Sequence, residues 1–103
     1  MKKLVNIEIN DGTVTAFLSG EIDHHTSAQI RREVDLTIER VRPDVLRLDF
    51  KGVQFMDSSG IGLIMGRYRQ MSLLGGSVSV ENIPKHLERL VRLSGITALG
   101  VMK

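Results

Sequence analysis

The stretch FMDSSGIGLIMGRY, residues 55–68, decides the fold because the chain changes there from a strand pattern to a helix pattern. One carboxylate and two hydroxyls separate a β-rich run from apolar residues at helical spacing. We predict a helix from about Ser58 to Leu74, which the glycines at 75–76 end. Its buried face is predicted to consist of Ile61, Ile64, Met65, Tyr68 and Met71.

Three glycines, Gly60, Gly62 and Gly66, lie inside this predicted helix. Each costs about 1 kcal/mol of helix stability relative to alanine, so we expect that something requires a backbone without side chains at these positions. Ser59, Gly62, Gly66 and Arg69 share one helix face of mostly small residues, opposite much of the apolar face. That face either lets another protein approach closely or lets the helix pack tightly on its own sheet, and the sequence leaves both open.

The patterns that precede this helix indicate two strands and another helix. Residues 4–10 and 13–19 predict an antiparallel hairpin across the turn Asp11-Gly12. Thr26 leads a capping box, which predicts the start of a helix that Pro43 stops. The inner face of that helix is predicted to be Ile30, Val34, Ile38 and Val41.

The second half of the chain continues to alternate between strands and helices. Residues 45–50 predict a central strand, and residues 77–81 predict another. Pro84 opens a third predicted helix, which Ser94-Gly95 closes, and residues 96–102 predict a last strand. The order ββαβαβαβ indicates the α/β class, with a mixed β-sheet flanked by helices.

The composition fits one domain and excludes several classes of site. The 103 residues carry 14 Lys and Arg against 12 Asp and Glu, a net charge of +2, with 4% aromatic residues and no cysteine. A chain of this length folds as a single domain, here residues 1–103. The lack of cysteine excludes a disulfide, a thiolate metal site and a cysteine nucleophile. Scattered arginines and few aromatic residues argue against nucleic-acid binding.

The apolar stretches of the chain are short. None approaches the roughly 18 residues that span a bilayer, so we expect no contact with a membrane. The basic start Met1-Lys2-Lys3 resembles that of an export signal, but Asn6 and Glu8 interrupt the apolar core that such a signal needs. We therefore expect a cytoplasmic protein.

The polar residues before the predicted helix have two interpretations. Asp57 or Ser58 is a helix N-cap, since both residue types cap helices well. Alternatively, Ser58 accepts a phosphate, which the helix N-terminus would favour by roughly 0.3 to 1 kcal/mol. A phosphate would add about two negative charges beside Asp57 and would repel an acidic or closely packed partner. This combination suits a binding switch.

A second polar segment, GEIDHHT at residues 20–26, lies between the hairpin and the first helix. We expect no metal there, because the adjacent His24 and His25 do not face the same way and neither a thiol nor a third histidine lies nearby in the sequence. Glu21 and Asp23 either contact a basic partner surface or lie in a solvated loop.

The sequence does not fit an enzyme, and we expect no catalytic residue and no cofactor. A serine nucleophile elbow needs glycine two positions before the serine, whereas Met56 precedes Ser58 at that spacing. The glycines of the helix also lack the Lys-Ser or Lys-Thr ending of a phosphate-binding loop.

Both polar segments resemble motifs of a known family, the STAS-domain anti-sigma factor antagonists. The resemblance rests on residues 20–26 and 55–62, continued by Gly66-Arg67-Tyr68, and it extends over nearly the whole chain. Within the family the chain resembles the sporulation type, the anti-sigma F factor antagonists. Antagonists of the general-stress type usually have Thr where this chain has Ser59. That type, or another STAS interaction module, is the alternative.

The resemblance implies a STAS-like fold and a function in partner switching. The unmodified form of such a protein binds an anti-sigma factor serine kinase that uses ATP, and a sigma factor is released. The kinase then phosphorylates the serine after the motif aspartate, here Ser58, and a serine phosphatase restores the binding form. The implied partner-binding residues are Glu21, Asp23, His24, Asp57, Ser58, Ser59 and Gly62. Members of this type tend to continue into a further C-terminal helix, whereas this sequence ends at Lys103.

Overall fold

The computed structural model contains a sheet of four strands, β1 (Val5–Asn10), β2 (Thr13–Ile22), β3 (Val45–Met56) and β4 (Ser77–Glu81), in that spatial order. β1 and β2 form the predicted antiparallel hairpin, while β2 pairs parallel to β3 and β3 parallel to β4. The structure describes residues 3–103. Met1 and Lys2, which begin the segment that resembles an export signal, lie outside the described residues.

Three α-helices, α1 (His24–Val41), α2 (Ser58–Leu73) and α3 (Glu88–Ser94), accompany the sheet. α1 connects β2 to β3, and α2 connects β3 to β4, so each parallel pair has a helical crossover. The predicted α/β architecture with a mixed sheet is therefore confirmed. Within residues 3–103, none of the helices combines the length and the apolar character needed to cross a membrane.

The last part of the chain differs from the prediction in two ways. Pro84 precedes a short 3-10 turn, Lys85–Leu87, instead of opening the third helix itself. The predicted strand at residues 96–102 is wrong, because the chain forms a 3-10 turn there, Ile96–Leu99, and only a single bridge joins Met102 to Val80. Glycines with φ of 83° and 73° lie on either side of this turn and leave too few extended residues for a strand.

Alternate residues of the central strands form the core beneath α1 and α2. Val14, Ala16 and Leu18 of β2 are buried, whereas Thr15 and Phe17 between them are only half-buried. On β3 the buried residues of this face are Leu46, Leu48 and Phe50. α1 contributes Ile30, Val34 and Ile38 as predicted. This alternation is the pattern expected of a sheet that is covered by helices on one face.

The buried face of α2 is rotated from the predicted one. Met65 is 40% exposed, and Leu63 and Arg67 are buried in addition to Ile61, Ile64 and Met71. Position 67 lies three residues after Ile64 and four before Met71, so helix geometry places its side chain on the inner face. A buried arginine therefore occupies part of the face that the sequence pattern assigned to apolar residues.

The start of α1 also differs from the prediction. Asp23, and not Thr26, is the N-cap: its Oδ1 accepts hydrogen bonds of 2.9 Å from the amides of His25 and Thr26. Thr26 is the third helical residue, and its hydroxyl oxygen accepts a bond from the Asp23 amide. The capping box exists, but it begins three residues earlier, because aspartate caps at least as well as threonine. The amides of Thr26 and His25 lower the pKa of Asp23 below its ordinary value.

Acid should remove part of the stability that this cap provides. Because the folded state lowers the pKa of Asp23, its charge stabilises the fold above about pH 4, and this contribution is lost as the pH falls through the folded-state pKa. Asp23→Asn keeps a capping oxygen without the charge. In thermal melts, the parent protein should therefore have a higher midpoint temperature than the variant at neutral pH, and the two midpoints should converge in acid. Glu21→Gln is the control, and a constant difference for Asp23→Asn across pH would contradict the role of the charge.

Candidate functional site

The two polar segments of the sequence meet at one edge of the sheet. β2 and β3 run parallel, and Glu21 pairs with Phe55 while Ile22 pairs with Met56 at their carboxyl ends. The amide of Asp57 donates a 3.1 Å hydrogen bond to the carbonyl of Ile22. The loops that follow the two strands, and the helices that begin after them, are therefore neighbours.

Two register shifts interrupt the pairing of β2 with β3 before it reaches this edge. They lie between Phe17 and Ser19 and between Gly20 and Glu21, and the pairing continues past them to Met56, well beyond the predicted end of β3 at residue 50. Gly20 has a φ of 82°, a conformation that suits glycine at an irregular strand position. The prediction had ended this strand at Phe50, the last residue of its largely apolar stretch.

Asp57 is the N-cap of α2, so the structure selects it over Ser58 as the cap. Its Oδ1 accepts a 2.7 Å hydrogen bond from the amide of Ser59. Ser58 is the first residue of α2 and is exposed, whereas Ser59 is half-buried. The serine that the motif singles out therefore lies at the positive end of a helix and in contact with solvent.

The two acids of the loop before α1 differ in their exposure to solvent. Glu21 is exposed, while Asp23 is half-buried and engaged in capping. His24 and His25 are exposed residues of the first turn of α1. Across residues 3–103, no three His, Asp or Glu side chains come together in a way that could hold a metal ion.

The glycines of α2 divide into two kinds, which answers the question that the sequence left open. A Cβ on Gly60 would overlap the side chain of Met56, so this glycine lets the helix lie close to its own core. A Cβ on Gly62 or Gly66 would meet nothing within 4 Å. Gly62 is exposed, which favours the interpretation of an open face, and the two outer glycines leave a bare surface beside Ser59.

That bare surface forms one wall of a groove between α1 and α2, with a volume of about 300 Å³. The other wall is the exposed side of α1. The residues that line the groove are His24, Ser27, Arg31, Ser59, Gly62, Leu63, Gly66 and Arg67. Three residues of the predicted partner surface, His24, Ser59 and Gly62, therefore share one concave feature.

Arg67 is the most unusual residue of the groove, because its side chain is only 10% exposed. Its Nε lies 3.0 Å from Asp35 Oδ1 and donates a 3.2 Å hydrogen bond to Gln70 Oε1. The contact with Asp35 is an ion pair without hydrogen-bond geometry, because Asp35 Oδ1 accepts no hydrogen bond within the described part of the chain. Arg67 Nη1 also has no hydrogen-bond partner among these residues. Burial lowers the pKa of Arg67, and Asp35 partly offsets that effect.

Sequence reasoning missed Arg31 and Arg67 as site residues. Arg67 could have been found, since its spacing from Ile64 and Met71 places a charge on a buried helix face, where it needs a partner. Arg31 carried no local signal, because it is one of several exposed arginines of α1. Only the approach of α1 to α2 brings it to the groove.

A larger cleft, of about 470 Å³, lies between β4 and the region of α3. It includes Asn82, Glu88 and Arg92 in its lining and contains no residue of either polar segment. The α1/α2 groove is therefore the concave feature that the two motifs define.

Comparison with known proteins agrees with the fold and with the two motifs. Residues 5–100 match the STAS domain, and the chain belongs to the STAS-domain family. Two curated relatives are anti-sigma factor antagonists by name. It is 38% identical to the anti-sigma F factor antagonist of Paenibacillus polymyxa, over 93% of this chain and 82% of that protein. It is 36% identical to the anti-sigma-B factor antagonist of Bacillus subtilis, over 92% of this chain and 83% of that protein.

The same class of protein appears among solved structures. The unphosphorylated form of the anti-sigma factor antagonist SpoIIAA superposes with a TM-score of 0.84 and 30% identity, covering 96% of this chain and 85% of that one. The phosphorylated form of the Bacillus SpoIIAA superposes with a TM-score of 0.76 at 30% identity, over 96% of this chain and 88% of that one. The chain is thus of the anti-sigma factor antagonist type.

Alanine at two neighbouring glycines should change stability in opposite directions. Gly60→Ala should destabilise by about 1–3 kcal/mol, because the buried Met56 must move to admit the methyl group. Gly62→Ala should stabilise by up to about 1 kcal/mol through helix propensity, since its methyl group would meet open space. Thermal or denaturant unfolding of the two variants measures the contrast. Strong destabilisation by both would show that Gly62 packs against the domain itself.

Proposed function

We propose that the chain is an anti-sigma F factor antagonist that acts by partner switching. Its unphosphorylated form binds an anti-sigma factor serine kinase and thereby releases a sigma factor. The kinase phosphorylates Ser58, which ends binding, and a serine phosphatase restores the active form. The observation that carries this proposal is the exposed Ser58 at the N-terminus of α2, held there by the Asp57 cap, in a chain that is similar to an antagonist known in both phosphorylation states.

The position of Ser58 explains how one modification can act without unfolding the domain. The helix N-terminus and its amide donors favour a nearby anion, so the fold tolerates the phosphate. The same phosphate adds about two negative charges beside Asp57 and enlarges a surface that a partner must approach closely. Loss of binding then follows from charge and shape at the surface.

The proposed contact surface consists of Glu21, His24, Ser58, Ser59 and Gly62, supported by Asp23 and Asp57. The five contact residues are exposed, apart from the half-buried Ser59. The two aspartates cap α1 and α2, so they fix the loop and the serine in place. Glu21 offers a charge that is suited to steering a basic partner surface.

The chain itself has no catalytic step in this mechanism. ATP is the substrate of the kinase, and the phosphatase supplies the hydrolysis, so the proposal requires no cofactor bound to this domain. Nor does it require contact with nucleic acid or a membrane. The cytoplasmic location stays a prediction from the sequence.

The general-stress type is the second candidate, because identity to the anti-sigma-B factor antagonist is nearly as high as identity to the anti-sigma F factor antagonist. Ser59 favours the sporulation type, by the resemblance described above. Binding assays with purified anti-sigma F and anti-sigma B factors would distinguish the two, since tighter binding of the anti-sigma B factor would reverse the assignment.

Replacement of Ser58 should abolish phosphorylation and leave binding intact. Ser58→Ala removes the proposed acceptor from an exposed helix start and should still fold and bind the kinase. Mass spectrometry after incubation with the anti-sigma F factor and ATP measures the modification. Ser59→Ala is the matched control and should be phosphorylated like the parent protein. Full phosphorylation of Ser58→Ala would disprove the assignment.

Reversal of the charge of Glu21 should slow association with the kinase. Glu21→Lys changes an exposed group that makes no cap, so the expected effect is on the association rate and its dependence on salt. Stopped-flow or surface-based kinetics at several salt concentrations provide the measurement. Glu8→Lys, an exposed acid on β1, is the control and should change the rate little. A salt-independent loss of binding with an altered circular dichroism spectrum would indicate a folding role instead.

A further inference from the structure

The α1/α2 groove carries a positive charge that the contact surface described above does not explain. Arg31 is exposed on α1, and Arg67 lies buried on the opposite wall. Asp35 is the acid that approaches Arg67, and it also feels the charge of Arg31. Apart from His24, the ionisable side chains that line the groove are these two arginines, so the lining is positively charged.

The buried guanidinium is incompletely satisfied. Buried polar groups in proteins are nearly always hydrogen-bonded, and an arginine can donate five bonds. Among residues 3–103, Arg67 Nη1 makes no hydrogen bond, and the ion pair with Asp35 is close but poorly oriented. Nη1 itself is closed to solvent, but an anionic group that enters the groove can pair with Arg31 and with the part of Arg67 that lines the groove.

The walls of the groove leave room for such a group. Gly62 and Gly66 present no side chain, and the space above both is open. The volume of about 300 Å³ is enough for a carboxylate-bearing side chain from another protein. Ser59 lies in the same lining, so the groove adjoins the start of α2 and is continuous with the proposed contact surface.

We infer that the α1/α2 groove receives an aspartate or glutamate side chain of the anti-sigma factor kinase, which pairs with Arg31 and Arg67. This inference rests on the proposed function and adds the chemistry of the partner. A carboxylate complements the two arginines that line the groove. The contact surface then has two regions of opposite charge: Glu21 attracts a basic group, and the groove accepts an acidic one. Two regions of opposite charge fix the orientation of the partner.

The same arrangement indicates how a phosphate on Ser58 would weaken binding of the partner. Ser58 is the first residue of α2 and precedes Ser59, which lines the groove, so a phosphate on Ser58 would add negative charge at the end of the groove where α2 begins. Like charges at close range in an interface are strongly unfavourable. Phosphorylation would thus expel the partner by opposing one of its anchoring groups.

Charge reversal on α1 tests this inference with a matched control. Arg31→Glu should weaken binding of the purified anti-sigma F factor, with ADP bound, by about tenfold or more, because it places like charges together. Arg32→Glu makes the same charge change at the next exposed position of α1, outside the groove lining, and should weaken binding less than about threefold. Both variants should melt like the parent protein, since both side chains are exposed.

The outcomes separate this inference from the proposed function. Equal effects of Arg31→Glu and Arg32→Glu on a parent protein that binds would overturn the groove inference and leave partner switching intact. A parent protein that binds neither anti-sigma factor would overturn both. Titration of the isolated chain with inorganic phosphate, followed at the Gly62 and Gly66 amides by NMR, tests for a small-anion site. Saturable binding of phosphate together with equal effects of the two variants would assign the groove to free anions instead.

Discussion

Parallel pairing of β2 with β3 is the constraint on which the candidate site depends. It places the carboxyl ends of two strands side by side, and each strand leads into a helix that an aspartate caps. Without this pairing, Asp23 and Asp57 would be ordinary caps in distant parts of the chain. With it, two helix N-termini meet at one edge, together with the exposed Glu21 and Ser58. The hydrogen bond from the Asp57 amide to the Ile22 carbonyl fixes their separation.

α2 combines demands of the fold with demands of the surface. Gly60 is required inside the domain, since a side chain there would collide with Met56. Gly62 and Gly66 have no such internal reason, and each lowers helix stability by about 1 kcal/mol relative to alanine. A small domain has limited stability to lose. Retention of a bare outer face at that cost is understandable if a partner must approach the helix backbone.

The sequence predicted the hairpin, the α/β architecture with a mixed sheet, and the start of α2, because each depends on local signals. Turn residues, helical spacing and a cap next to a glycine-rich helix are all visible within a few residues. The last strand was predicted wrongly, since two glycines in left-handed conformations were not recognised as turn positions. The cap of α1 was misplaced because Asp23 and Thr26 both fit a capping box. The groove between α1 and α2 could not be predicted, because Arg31 and Arg67 are far apart in sequence and only helix packing brings them together.

The two capping aspartates show why motif residues of this family need not all contact a partner. Asp23 accepts two backbone hydrogen bonds and Asp57 accepts one, so both carboxylates are already engaged in holding their helices. Their charges still contribute to the field at the edge of the sheet, but their positions are set by the fold. Ser58 and Glu21, which are exposed next to them, are the groups whose charge can change or steer without affecting a cap. The proposed switch at Ser58 would therefore alter the surface while the caps keep the surface in place, which is consistent with the similarity of this fold to both the unphosphorylated and the phosphorylated forms of SpoIIAA.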